Sequence, residues 1–152
     1  MSRRSVTPPA GEGPVVAAAL DELRLPQEVF DELVAHAWSD FPYEVCGLLG
    51  LHRDGRVEVI PVANAERSMR YYVMDSRGLL RAMRRIEDDD LGLVIYHSHT
   101  HTQAYPSATD VRHAAYPEAL YAIVTLQDHD RPEVRAFTIR GGAIAEVPVV
   151  VG

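Results

Sequence analysis

The chain contains one cysteine, Cys46, in 152 residues, so no internal disulfide framework holds it together. Such sparse cysteine fits a reducing, cytoplasmic setting. It also excludes the cysteine pair that zinc-dependent nucleobase deaminases use as ligands. Positive charge is in deficit: 15 Lys and Arg stand against 22 Asp and Glu, a formal charge of −7. Nucleic-acid binders usually carry a basic patch, and this balance argues against one. A basic protein partner would suit it without being required. No apolar run is long enough to span a membrane. Ser2-Arg3-Arg4-Ser5 has the look of a twin-arginine export signal, but the apolar stretch that follows, residues 15–20, is short and runs into Asp21-Glu22, so export is not expected. There is no internal repeat.

What remains is ordinary for a soluble globular domain: 47% apolar and 24% charged residues. A chain of this size buries roughly 70% of its unfolded surface, enough for a real core. Residues 1–22, with Pro8, Pro9, Gly11, Gly13 and Pro14, have a tail composition, and the expected domain spans residues 23–152.

Within that domain the hydrophobic periodicity alternates between helix and strand. Pro26 suits a helix start, and Val29, Phe30, Leu33, Val34, Ala37 and Trp38 recur at amphipathic spacing until Phe41-Pro42. Residues 45–51 read as a buried strand in which Gly47 and Gly50 permit close backbone approach. Asp54-Gly55 turns a hairpin into the strand 57–62. A polar loop, residues 64–70, leads to a short strand at 71–74. Asp75 or Ser76 caps a second helix with Leu79, Leu80, Met83 and Ile86 inward. Glu87 to Asp90 read as the loop leaving it, since acids oppose the dipole at a helix C-terminus. Residues 107–115 suit a third helix, and strands follow at 120–126, 134–139 and 143–151, with Gly141-Gly142 turning the last hairpin.

The chemistry concentrates after the apolar run Leu91-Gly92-Leu93-Val94-Ile95. His97 and His99 are two residues apart at the end of that strand, so their side chains share a face. Asp110 follows eleven residues after His99. Two imidazoles and a carboxylate form a ligand set used by catalytic zinc, which keeps a further position for water. An H-x-H pair alone is more often a pair of surface or hydrogen-bonded core histidines than a metal site. Ser107-Ala108-Thr109-Asp110 also matches a capping box, which explains both polar residues without catalysis. A hydrolytic site needs a base for its water, and Glu44, an acid at the start of an apolar strand, is the best candidate; spacing alone cannot bring it to His97. Cys46, inside that strand, reads as a buried structural thiol and not as a nucleophile. His36, His52 and His129 read as surface residues; His101 and His113 could contact a substrate or orient a ligand, though such histidines are more often solvent-facing, and they stay off the ligand list.

Taken together, Glu44…His97-Ser98-His99…Ser107…Asp110 resembles the JAMM motif of the MPN+ metalloproteases: an upstream glutamate, then H-x-H, seven residues, serine, two residues and aspartate. The resemblance implies an α/β MPN domain, a curved mixed sheet flanked by helices. It implies zinc held by His97, His99 and Asp110, water activation by Glu44 and oxyanion stabilisation by Ser107. Most members carry proline after the second histidine, where this chain has Thr100. That departure is shared by a narrower group. The segments Glu44-Val45-Cys46-Gly47-Leu48, Asn64-Ala65-Glu66-Arg67-Ser68 and His97-Ser98-His99-Thr100 with Ala104-Tyr105-Pro106-Ser107 are similar to those of actinobacterial Mec+ peptidases. Those enzymes release cysteine from the C-terminus of a ubiquitin-like sulfur-carrier protein. The implied partner is therefore a small ubiquitin-like carrier ending in Gly-Gly, presented as its cysteine adduct, and a homodimer stays open. Tyr105, Arg67 and Ser68 are groove candidates on the resemblance alone. The alternative is a broader isopeptidase that removes ubiquitin-like proteins from lysines. A non-catalytic MPN scaffold would have lost motif residues, and none is lost here.

Overall fold

The computed structural model describes residues 14–152; residues 1–13, most of the stretch with tail composition, lie outside the described residues. Packing begins ahead of Leu23. Ala17, in a 3-10 turn over Ala17–Ala19, is fully buried, and Val15 and Leu20 pack against the same core. The Ala18 amide donates to the Glu118 carbonyl (3.0 Å), tying this lead-in to the segment just before residues 120–125.

The elements follow in order: β1 (Leu23–Leu25), α1 (Gln27–Ser39), β2 (Cys46–Leu51), β3 (Val57–Val62), α2 (Ser76–Asp88), β4 (Gly92–His99), α3 (Ala108–His113), β5 (Leu120–Thr125), β6 (Glu133–Arg140), β7 (Ala143–Val147) and β8 (Val149–Val151). Six strands form one mixed sheet in the order β3-β2-β4-β5-β6-β7. Only β4 and β5 are parallel in it, and α3 lies in the crossover between them. β1 and β8 pair in parallel as a separate ribbon.

β4 is buried along its whole length, as a central strand covered on both faces should be. Val94 and Tyr96 enter the core cluster shared with Leu33 and Ala37 of α1. Leu93 and Ile95 enter the second cluster, with Ala82 and Ile86 of α2. Strand alternation therefore sends His97 and His99 toward the α2 face. Close packing at β2 depends on Gly47. A Cβ there would stand 2.6 Å from the Ile60 carbonyl oxygen and from the Tyr96 ring.

Four local differences from the sequence-based expectation have physical causes. Residues 71–74 form no strand; a single bridge joins Asn64 to Met74, because the Asn64 side chain and not a neighbouring strand satisfies the Val73 amide (3.0 Å). The expected strand 143–151 divides at Pro148, which cannot donate to a ladder, and β8 departs to pair with β1. α2 continues through Glu87 and Asp88; Arg85 in its last turn bonds Asp89 (2.9 Å) and offsets the acids there. α3 is shorter than expected, ending at His113. Asp75, not Ser76, caps α2, accepting from the Gly78 amide at 2.8 Å.

Candidate active site

Two features of β4 build the centre. Its last residues, His97 and His99, run past the end of the apolar run, and its neighbour β2 is antiparallel with Cys46 opposite His97. Continuing that register by two residues sets Glu44 opposite His99. Ser98, fully buried between the histidines, fastens the two chains. Its Oγ accepts from the Val45 amide (2.9 Å), and its own amide donates to the Val45 carbonyl (3.0 Å). The upstream acid and the H-x-H pair, 53 positions apart, are thus neighbours because of strand pairing.

Asp110 arrives from the other side. Ser107 is the N-cap of α3; its Oγ accepts from the Asp110 amide (3.1 Å), while the Ser107 amide donates to Asp110 Oδ2 (2.9 Å). The capping box and the acid–histidine cluster coexist: the box places Asp110 in the first helical turn and turns its carboxylate to the histidines.

His97 Nε2, His99 Nε2 and Asp110 Oδ2 form a triangle with all three edges at 3.1 Å. All three residues are buried. Ligand atoms on one tetrahedral zinc stand roughly 3.3–3.5 Å apart, as bonds of about 2.0–2.1 Å require. The donor set, its convergence and its burial fit a divalent metal. Among the described residues it is the one His/Cys/Asp/Glu cluster with this convergence.

The electrostatics point the same way. Burial by itself would raise the Asp110 carboxyl, but hydrogen bonds to His97 and His99 hold it well below the usual carboxylate range. Burial pushes the His97 imidazole down, against the pull of Asp110, so the ring is held neutral, the form that ligates metals. Glu44 is buried, and burial raises its carboxyl to about 8, with His99 pulling it down and Asp110 pushing it further up. Among the described residues its Oε1 has no hydrogen-bond partner, nor does His97 Nδ1. Unsatisfied buried polar atoms cost about 1–3 kcal/mol each, and finding two in one cluster marks a site arranged for something other than stability. His99 differs: against the effect of burial, its hydrogen bonds to Asp110 and to the Gln103 carbonyl (Nδ1 at 2.8 Å) hold its imidazole above the usual value, so it carries a proton more readily than His97.

The polar segment Asn64 to Ser68 positions this centre by backbone contacts. Asn64 Nδ2 donates to the Glu44 carbonyl (3.0 Å), and the Glu44 amide donates to the Ser68 carbonyl (2.8 Å). Arg67 lies over the Tyr43 ring (4.5 Å) and 3.6 Å from Asp40. It lines a recess of about 360 Å³ that also touches Glu44 and Asn64. Tyr105 is exposed, with its ring against Phe137 (5.4 Å). Cys46 is fully buried, its Sγ 3.4 Å from the Val62 carbonyl, with burial pushing the thiol up to about 12. His101 and His113 are exposed. His36 and His52 are not the surface residues expected: His36 Nδ1 bonds the Tyr96 hydroxyl (2.7 Å), and His52 Nε2 bonds Glu58 (2.8 Å). His129 is exposed but packs edge-on against Trp38, ring centroids 5.0 Å apart.

Sequence reasoning missed Tyr72, whose ring stacks on His97 with centroids 4.5 Å apart and planes at 26°. It also lines an apolar recess of about 250 Å³ with Leu79, Ile95, Tyr116 and Tyr121. Its signal was the alternation of 71–74, which puts Tyr72 on the opposite side from exposed Tyr71 and Val73. Asn64 was marked only as part of the segment 64–68 that carries the resemblance; spacing assigned it no role.

Residues 26–140 match the family described as prokaryotic homologs of the JAB domain. A protein of Mycobacterium tuberculosis named CysO-cysteine peptidase is 46% identical over 125 residues, covering 80% of this chain and 86% of that protein. A Haloferax volcanii protein named desampylase is 34% identical over 111 residues, covering 66% of this chain and 78% of its own length. A solution structure from Desulfitobacterium hafniense superposes with a TM-score of 0.73 at 32% identity, covering 86% of this chain and 92% of that one. One from Salinibacter ruber gives 0.58 at 25% identity, covering 86% and 91%. On the match of most of its length and on these relatives, the chain belongs to the JAB-domain family, the JAMM/MPN fold, and is a peptidase.

Proposed function

We propose that this chain is a zinc-dependent cytoplasmic peptidase. It would hydrolyse the amide between the C-terminal glycine of a small ubiquitin-like sulfur-carrier protein and cysteine, releasing both, within a route of cysteine synthesis. The observation that carries the chemistry is the buried triangle of His97, His99 and Asp110 beside an unpartnered glutamate oxygen. Support for the substrate comes from the 46% identity to a relative named for that reaction.

His97, His99 and Asp110 would hold the metal. Bound zinc supplies Lewis acidity and lowers the pKa of water. Glu44 takes the proton of the attacking water and hands it to the leaving nitrogen. A carboxyl raised to about 8 by burial is suited to carry a proton both ways near neutral pH, and a cation nearby brings it lower. Ser107 Oγ accepts from the Asp110 amide, which leaves its O–H free to donate to the oxyanion. The backbone of a glycine-ended tail can be held by strand-like hydrogen bonds.

The test presents purified enzyme with a carrier–cysteine adduct and, separately, a carrier–lysine isopeptide, and follows both masses. Release of cysteine with the isopeptide largely intact is the expected result. Efficient cleavage of the isopeptide with the adduct untouched would reverse the assignment and favour a broader isopeptidase.

A further inference from the structure

The two histidines of the triangle are supported in different ways. Metal-ligating histidines almost always donate their second ring N–H to a carboxylate, a carbonyl or water, and losing that partner typically costs 10- to 100-fold in metal affinity. His99 follows the rule through Nδ1 and the Gln103 carbonyl at 2.8 Å. His97 does not. It is fully buried, 1% exposed, and its Nδ1 has no hydrogen-bond partner among the described residues. Two rings enclose it: His99, tilted at 64° with centroids 4.9 Å apart, and Tyr72, nearly parallel at 26° and 4.5 Å.

We infer that Tyr72 is a positioning residue for the metal centre: its ring face fixes the plane of His97, a task usually left to a hydrogen bond at the second nitrogen. This rests on reading His97, His99 and Asp110 as the zinc ligands. The stacked plane blocks rotation of the imidazole about its Cβ–Cγ bond, the motion that would swing Nε2 out of the triangle.

Tyr72 is itself held by the backbone that follows it. The Val73 amide donates to Asn64 Oδ1 (3.0 Å), the Ala65 amide to the Val73 carbonyl (2.7 Å) and the Asp75 amide to the Ala63 carbonyl (2.8 Å). Asn64 is also the residue whose Nδ2 grips the Glu44 carbonyl (3.0 Å). One side chain therefore sets the positions of both the glutamate and the ring behind His97. The contact is face to face, so it needs an aromatic plane and not the hydroxyl.

The experiment measures zinc affinity of the full-length chain, using zinc alone in competition with a chromophoric chelator. The visible spectrum of the cobalt-substituted protein reports coordination geometry, and the melting midpoint of the metal-free protein reports folding. Parent and His97→Ala come first: equal binding by these two would refute the ligand reading itself. Given tight binding by the parent that His97→Ala loses, Tyr72→Phe should bind within about threefold and keep the parent cobalt spectrum. Tyr72→Leu should bind about 10- to 100-fold more weakly and change that spectrum, with the metal-free midpoint close to the parent's. If Tyr72→Leu does not fold, Tyr72→Met carries the same comparison. Parent-like affinity in the folded non-aromatic variant, or equal losses in Tyr72→Phe and Tyr72→Leu, would overturn the assignment while leaving the ligand set standing.

Discussion

β2 connects two glutamates with opposite electrostatics. Just before the strand, Glu44 is buried, its Oε1 lacks a hydrogen-bond partner, and burial raises its carboxyl to about 8. At the far end, Glu58 on β3 pairs with Gly50. There Arg85 bonds both its oxygens, with Nε at 3.0 Å, and His52 adds a bond at 2.8 Å. Arg85 holds the Glu58 carboxyl below its usual value. The two residue types are identical, so the difference lies in what surrounds them. Where a cation and hydrogen bonds answer the carboxylate, the cluster is structural. Where burial goes unanswered beside three convergent donor atoms, the carboxyl suits the chemistry proposed for it. Cavity size does not make this distinction. The hollows of about 440 and 420 Å³ both lie near His52, Arg53 and Arg56, at the answered end, where Asp54 and Arg56 pair with each other.

The sharpest way to break the comparison is Glu44→Gln. It keeps the volume and the triangle, so zinc content should stay at the parent level while turnover falls by roughly 10²–10⁴-fold, the usual worth of a general base. Steady-state rates alongside metal analysis decide it; near-parent turnover removes Glu44 from the mechanism. Next in size is Ser107→Ala. A lost oxyanion donor costs ~10²–10³-fold in turnover, and the lost N-cap costs ~1 kcal/mol of stability. Denaturant unfolding separates the two, and a stability loss alone would leave Ser107 as a cap.

The pH dependence of stability should then differ in sign between the ends of β2. Glu44 has a raised folded pKa, so the metal-free protein binds more protons folded than unfolded between about pH 4.5 and 8. Its stability falls as pH rises through that window. Glu44→Gln removes the loss, so the metal-free variant should exceed the parent in stability at pH 9, with the gap closing toward pH 5. Glu58 has a lowered folded pKa, so its contribution is present above its unfolded pKa and fades as pH falls through the folded one. The smallest effect belongs to Glu58→Gln. The carboxylate is one-third exposed, so unfolding measurements should register a loss of about 0.5–1 kcal/mol at neutral pH. Turnover should not change. A large drop in activity from this substitution would mean the two ends are coupled.

Much of this was legible in the chain. The amphipathic spacing of Val29 through Trp38 and the apolar run before His97 are local properties, so α1 and β4 formed where periodicity put them. The JAMM spacing singled out Glu44, His97, His99, Ser107 and Asp110, and the fold brings the donor atoms of His97, His99 and Asp110 together. The short strand at 71–74 failed because one distant side chain, Asn64, took the Val73 amide that a strand would have offered to a neighbour. The division at Pro148 was written in the sequence, but its consequence, pairing with β1 at the other end of the chain, was not.

The sequence by itself determined the residue types: two imidazoles on one strand face, a capping box that carries an acid, and a lone glutamate against an apolar strand. Each follows from spacing over a few residues, where backbone geometry alone sets direction. Tertiary structure decided the rest. Antiparallel pairing of β2 with β4 sets Glu44 opposite His99, and the crossover through α3 closes Asp110 onto both histidines. Burial raises Glu44 to about 8, and Tyr72 meets His97 across a loop. These depend on register, desolvation and side chains 11 to 55 positions apart, which local spacing does not encode.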